Sequence, residues 1–155
     1  MRVTLLRVDS RLIHGQVVEA WLPYTGVRSI VVVDDLTAGN PVLREVMSLA
    51  VPTGVEVSFT TVREFISGRG DGKPGKEGVL ILCRDLKIAE KLVMGRKDIR
   101  NVNLGNIQSA PGKRMVGPTI FLDDEDLKII DRLRKRGIQV EARAVPSDTD
   151  FIENV

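Results

Sequence analysis

The stretch Val3-Thr-Leu-Leu-Arg-Val8-Asp9-Ser10-Arg11-Leu12-Ile13-His14-Gly15-Gln16-Val17 decides the fold. An apolar, β-branched run reads as a strand, a short polar loop follows, and Gln16–Leu22 then reads as an apolar helical segment ending at Pro23. The same alternation recurs along the chain. Strands are expected at Val3–Val8, Ser29–Asp34, Val55–Thr60, Val79–Cys83, Asn101–Leu104, Thr119–Leu122 and Gln139–Ala144. Several are apolar at every position, as they are where helices cover both sides of a sheet. Between them, Asn40-Pro41 opens a helix to about Ala50, and Thr61-Val-Arg-Glu64 reads as a capping box for a helix ending near Gly68. Asp85 caps a helix to Met94 with Gly95 as its stop. A helix over Asp123–Arg136 carries acids in its first turn and bases in its last, matching the helix dipole. The expected fold is α/β: one domain over residues 1–155, with a central, mainly parallel sheet flanked by helices on both faces.

Composition narrows the function. The 155 residues carry 23 Lys+Arg and 21 Asp+Glu, a net charge of +2 that argues against a nucleic-acid partner. The basic residues Arg132, Arg134, Lys135 and Arg136 read as a solvated helix end. The one cysteine, Cys83, lies in an apolar strand run, so neither an internal disulfide nor a cysteine metal cluster is expected. Arg2, Arg7, Asp9 and Arg11 interrupt any signal-like apolar run, and nothing approaches a membrane span. A cytoplasmic protein is expected.

Several motifs are excluded by context. Gly70-Asp-Gly-Lys-Pro-Gly-Lys76, inside the Gly-rich loop Ser67–Gly78, resembles a P-loop, but Glu77 stands where a magnesium-binding hydroxyl belongs and a strand follows instead of a helix. Ser10 with His14 lacks a Gly-x-Ser-x-Gly turn, and no strand is followed by Gly-x-Gly-x-x-Gly. No metal and no cofactor is expected, since one histidine with scattered carboxylates is a poor zinc set.

The only histidine of the chain is therefore the residue on which imidazole chemistry must rest. His14 falls beyond the carboxyl end of the first strand, where ligands bind in open α/β sheets. The amides opening the next helix favour an anion, Gly15 allows close approach, and Arg11 offers a fork for phosphate oxygens. A neutral imidazole attacks phosphorus through one nitrogen while a partner fixes the other. Asp9, Asp34 or Asp35 could orient the ring or Arg11, and Ser10 lies within the same loop. From spacing alone, a phosphate site with a nucleophile and a set of ordinary strand-end residues both remain open.

Arg7-Val-Asp-Ser-Arg-Leu-Ile-His-Gly-Gln-Val17 closely resembles the active-site segment of the IIB components of the mannose/fructose/sorbose family of the bacterial sugar phosphotransferase system. Trp21, Val31–Asp35, Ala50–Val55, Val102–Gly105 and Gly137–Pro146 extend the likeness over nearly the whole chain. The resemblance implies a phosphocarrier enzyme in which phospho-IIA donates to His14 at Nδ1, with Arg11 in the loop Asp9–Gly15. His14 would then deliver the phosphoryl group to a sugar held by the membrane IIC and IID components. It implies a separate IIA chain and transient association with the inner face of the membrane. Two features depart from the family pattern: the Gly-rich loop, and Asn106 where many members carry a second glycine. A phosphohistidine protein that regulates without transport, or a non-covalent anion-binding module, would use the same residues.

Overall fold

The computed structural model describes residues 2–70 and 76–155, so most of the P-loop-like run lies outside the described residues. Six parallel strands form the main sheet in the order β3-β2-β4-β1-β5-β8. They are β1 Val3–Asp9, β2 Ser29–Val33, β3 Glu56–Thr60, β4 Val79–Cys83, β5 Asn101–Asn106 and β8 Gln139–Ala142. Two further strands, β6 Arg114–Gly117 and β7 Ile120–Leu122, pair antiparallel as a separate ribbon.

Helix placement follows from strand order, because crossovers between parallel strands are right-handed. The chain leaves β1 toward β2 and then β3, moving one way across the sheet. From β3 onward it moves the other way, through β4 and β5 to β8. The connections therefore fall on opposite faces, and the core splits accordingly. On one side α4 Val62–Ile66, α5 Leu86–Gly95 and α6 Asp124–Lys135 bury Phe65, Leu92 and Ile129 against Leu6, Ile81 and Leu104. On the other side, a π-helical turn Val17–Trp21 runs into α1 Leu22–Thr25 and packs Val17 and Trp21 near Leu5, Ile30 and Leu82. α2 Asp35–Ala38 and α3 Pro41–Leu49 form the next connection, from β2 to β3, with Met47 against the same cluster.

Caps hold the helix starts. Asn40 Oδ1 accepts from Val42 and Leu43 amides, Asp85 from Ile88, and Asp123 and Asp126 form a reciprocal box. Thr61 makes half a box: its hydroxyl accepts from Glu64 N, while the Glu64 carboxylate takes the Thr60 hydroxyl. Two helix ends differ from expectation. The first helix passes Pro23 and ends at Thr25, because the wider turn in which Leu22 N–H bonds Val17 O absorbs the proline's missing donor. Gly95 is the last residue of α5, not a left-handed stop, and its bare Cα makes room for Ile66, whose Cγ2 lies 2.7 Å from where a Cβ would be. Helix α2 and strand β6 are additions: α2 is a single turn capped by Asp34, and β6 depends on β7 for its ladder.

Candidate phosphoryl site

The site lies at the point where the strand connections diverge. β1 sends its chain to one face of the sheet and β5 to the other, which opens a crevice beyond their carboxyl ends. Asp9 ends β1 and Asn106 ends β5. In strict alternation Asn106 would point away from Asp9. A register shift after Val8↔Leu104 pairs Asp9 with Asn106 and returns its side chain to the Asp9 side, the re-aiming that bulges perform.

Asp9 is fully buried and joins the site together. Its Oδ2 lies 2.7 Å from His14 Nε2, 3.0 Å from Asn106 Nδ2 and 3.1 Å from Arg7 Nε, and its Oδ1 accepts from Arg11 N at 2.9 Å. Burial pushes the Asp9 carboxyl up, but the bonds from His14, Arg7 and Asn106 outweigh it and hold the group below the usual carboxylate range. Burial likewise draws the Arg7 guanidinium down, and Asp9 opposes that. Arg7 has no exposed surface; it also donates to Asn103 Oδ1 at 2.7 Å and Arg143 O at 3.2 Å, and stacks 5.0 Å from the centre of the Trp21 ring. Trp21 in turn donates its indole N–H to Ala144 O at 2.8 Å.

The 2.7 Å contact between Nε2 and a carboxylate oxygen requires a proton between them. Asp9 is held ionised, and Asn106 spends its two amide hydrogens on Asp9 and on Gln16 Oε1 at 3.0 Å, so the geometry fits a ring that donates from Nε2. In the neutral ring that donates from Nε2, Nδ1 carries the lone pair, and it has no hydrogen-bond partner among the described residues.

The loop before His14 is held under strain. Leu12 has φ 58°, a left-handed conformation that costs a leucine roughly 1–2 kcal/mol. Leu12 N bonds Asp9 O at 3.0 Å, and its fully buried side chain anchors the turn in the core. The reversal leaves Arg11 exposed, its guanidinium without a partner among the described residues. Ser10 Oγ is buried and unpartnered, while Ser10 N bonds Asn106 O at 2.9 Å. At Gly15 an added Cβ would meet nothing within 4 Å, so the protein's own packing does not demand a glycine there.

Asp34 does not reach the ring. Its carboxylate caps α2 through Thr37 N and Oγ1 at 3.1 and 2.6 Å and takes Arg84 Nη2 at 2.8 Å. Burial raises its pKa, but the Arg84 and Thr37 bonds override that and lower it. Arg84 Nη1 also donates to Ser10 O at 3.1 Å, so Asp34 touches the loop only through Arg84. Asp35 accepts from Val62 N at 2.9 Å, away from His14. Sequence reasoning missed Arg7, Gln16, Arg84, Asn103 and Asn106 as members of this network. The one available signal was a charged Arg7 amid an apolar strand run.

A groove of about 810 Å³ lined by Thr4, Tyr24, Asn101 and Gln139 runs along the open face of β5 and β8, beside Trp21. A smaller cleft, about 270 Å³, is bordered by Ser10 and Arg11 of the loop and by Asn106. Among the described residues no cluster of His, Cys, Asp or Glu could hold a metal ion, and no helix is long and apolar enough to cross a membrane.

Fold and loop together are those of an α/β phosphocarrier domain. Residues 3–153 match the family model described as PTS system sorbose subfamily IIB component, and the chain belongs to that family of sugar phosphotransferase components. It is 33% identical over 147 residues to the N-acetylgalactosamine-specific phosphotransferase enzyme IIB component 1 of Escherichia coli (strain K12), covering 94% of this chain and 92% of that one. It is 34% identical over 148 residues to the mannose-specific EIIAB component of the same organism, covering 96% of this chain but 46% of that longer protein. The crystal structure of the Escherichia coli N-acetylgalactosamine-specific IIB component 1 superposes with a TM-score of 0.87 at 32% identity, covering 96% of this chain and 97% of that one. The chain is thus a phosphotransferase component, of the kind that accepts a phosphoryl group and passes it to a sugar.

Proposed function

We propose that His14 is the phosphoryl carrier and reacts through Nδ1. A phosphohistidine on a separate IIA protein is the donor, and a sugar held by membrane IIC and IID components is the acceptor. The Nδ1 lone pair forms the new P–N bond as the donor's P–N bond breaks and the donor ring keeps that electron pair. In the second transfer a sugar hydroxyl forms a P–O bond, its proton goes to solvent, and Nδ1 recovers its lone pair. Arg11 binds the phosphoryl oxygens, with the Ser10 hydroxyl and the Gly15 amide as further donors and Asp9 orienting the ring. Asp34 acts only on the loop backbone, through Arg84.

The 2.7 Å bond between Asp9 and Nε2 carries this reading, because it fixes the tautomer that makes Nδ1 the nucleophile. An uncommitted guanidinium three residues away supports it. The resemblance to IIB components also favours action in the cytoplasm, with transient docking at the inner membrane face. The relatives' names include N-acetylgalactosamine, mannose and sorbose. Nothing in this loop reads as a choice among them, in keeping with recognition by the membrane components.

Intact-mass analysis tests the proposal, after incubation with phosphoenolpyruvate, the general phosphocarriers and a cognate IIA. One acid-labile, alkali-stable phosphoryl adduct is expected, absent from His14→Ala. A competent phospho-IIA that leaves the chain unmodified would overturn it, leaving an anion-binding loop.

A further inference from the structure

Asp9 Oδ2 serves three donors at once, and Asn106 is there only because β5 breaks register. Without the shift at Gly105, the Asn106 side chain would lie on the opposite face of the sheet. With it, the buried carboxamide donates 3.0 Å to Asp9 Oδ2 and 3.0 Å to Gln16 Oε1, and its nitrogen sits 3.4 Å from His14 Nε2. A flipped amide would set its carbonyl oxygen against two acceptor oxygens, so its orientation is determined.

We infer that Asn106 is a positioning residue that keeps phosphorylated His14 from becoming too stable, by donating into the same Asp9 oxygen that His14 Nε2–H uses. The inference rests on the phosphocarrier reading of His14 given above. When Nδ1 bonds phosphorus, the ring keeps its Nε2 proton and gains positive charge. Asp9 stabilises that charge, and only in the phosphorylated form. Each competing donor on Oδ2 draws part of the carboxylate charge away from the ring. Arg7 does so as a buried cation and Asn106 as a neutral donor, and the bond from Asn106 is among the causes holding the Asp9 pKa down. A relay needs this moderation, because a phosphoryl group held too well on His14 does not move on.

The test compares the unmodified protein with Asn106→Ala and Asn106→Leu, the second keeping the side-chain volume but no donor. Each is phosphorylated with potassium phosphoramidate, and loss of the adduct is followed by ³¹P NMR. The ring tautomer of the free proteins is read in parallel by ¹⁵N NMR. Removing a hydrogen bond to a charged group should lengthen the phosphoprotein lifetime by about tenfold in both variants, with the Nε2–H tautomer retained. Lifetimes within twofold of the unmodified protein, or shorter ones with mixed tautomers, overturn the inference and leave Asn106 a packing residue. If one variant fails to fold, the other decides. Failure of the unmodified protein to take a phosphoryl group on His14 from phosphoramidate and from a competent phospho-IIA alike is a different result, and it refutes the phosphocarrier reading instead.

Discussion

Gly105→Ala should damage this protein far more than an alanine in a strand ordinarily does. A Cβ at position 105 would sit 2.0 Å from Arg7 Cζ and 2.2 Å from each Nη. To reach ordinary contact the guanidinium must retreat by about 1.4 Å. Its bonds of 2.7 Å to Asn103 and 3.1 Å to Asp9 would then stretch beyond hydrogen-bonding range. Arg7 and Asp9 are both fully buried, so no solvent replaces what is lost. Breaking such a pair costs about 3–5 kcal/mol, out of roughly 5–15 kcal/mol of total stability. Urea denaturation should show that loss, and for a domain of this size the melting temperature should fall by about 6–20 °C. The cause is checked in an Arg7→Ala background, where the methyl has nothing to strike and the added cost should drop below about 1 kcal/mol. A single Gly105→Ala cost below about 1 kcal/mol, or an equal cost in both backgrounds, would show that the clash with Arg7 does not set the loss.

Other perturbations separate stability from transfer. Gly15→Ala should leave stability within about 0.5 kcal/mol, since its Cβ meets no protein atom, yet slow transfer from IIA by crowding the approach to His14; stopped-flow phosphorylation beside urea melts checks both. Arg11→Gln removes a guanidinium the fold does not use, so stability should hold while the phosphorylation rate falls by about 10²–10³-fold. Asp9→Asn leaves buried Arg7 without its counter-charge and should cost about 3–5 kcal/mol, with a comparable loss of transfer from His14, read by denaturation and intact mass. Because the folded pKa of Asp9 is depressed, its contribution to stability is present above the ordinary carboxylate value near 4 and is lost as pH falls through the folded value. Acid titration of Asp9→Asn should accordingly show a shallower loss of stability below about pH 4 than the unmodified protein.

Local signals made much of this legible in the sequence. Apolar strand runs such as Val79–Cys83 and caps such as Asn40 and Asp85 declare themselves within a few residues. The loop 9–15 also stood out, because its residue types are unusual together. What stayed hidden depends on register and on distant partners. Arg7 meets Asn103 across 96 positions of sequence, and Asn106 joins Asp9 only because β5 slips by one residue. Asp34 was read as a neighbour of His14 from its place at a strand end, but Arg84, 50 positions on, holds it instead. The ribbon strand β6, with Met115 exposed, shows no apolar alternation and exists through its pairing with β7.

In the proposed relay, Asp9 holds Nε2 and leaves Nδ1 to carry the phosphoryl group. The chain has a single histidine, so ¹⁵N-histidine labelling followed by long-range ¹H–¹⁵N NMR reports on His14 alone. Before phosphorylation the spectrum should show a protonated Nε2 and an unprotonated Nδ1; afterwards, phosphorus coupling should appear at Nδ1 with the Nε2 proton retained. Phosphorus coupling at Nε2, or a free ring protonated at Nδ1, would contradict the account.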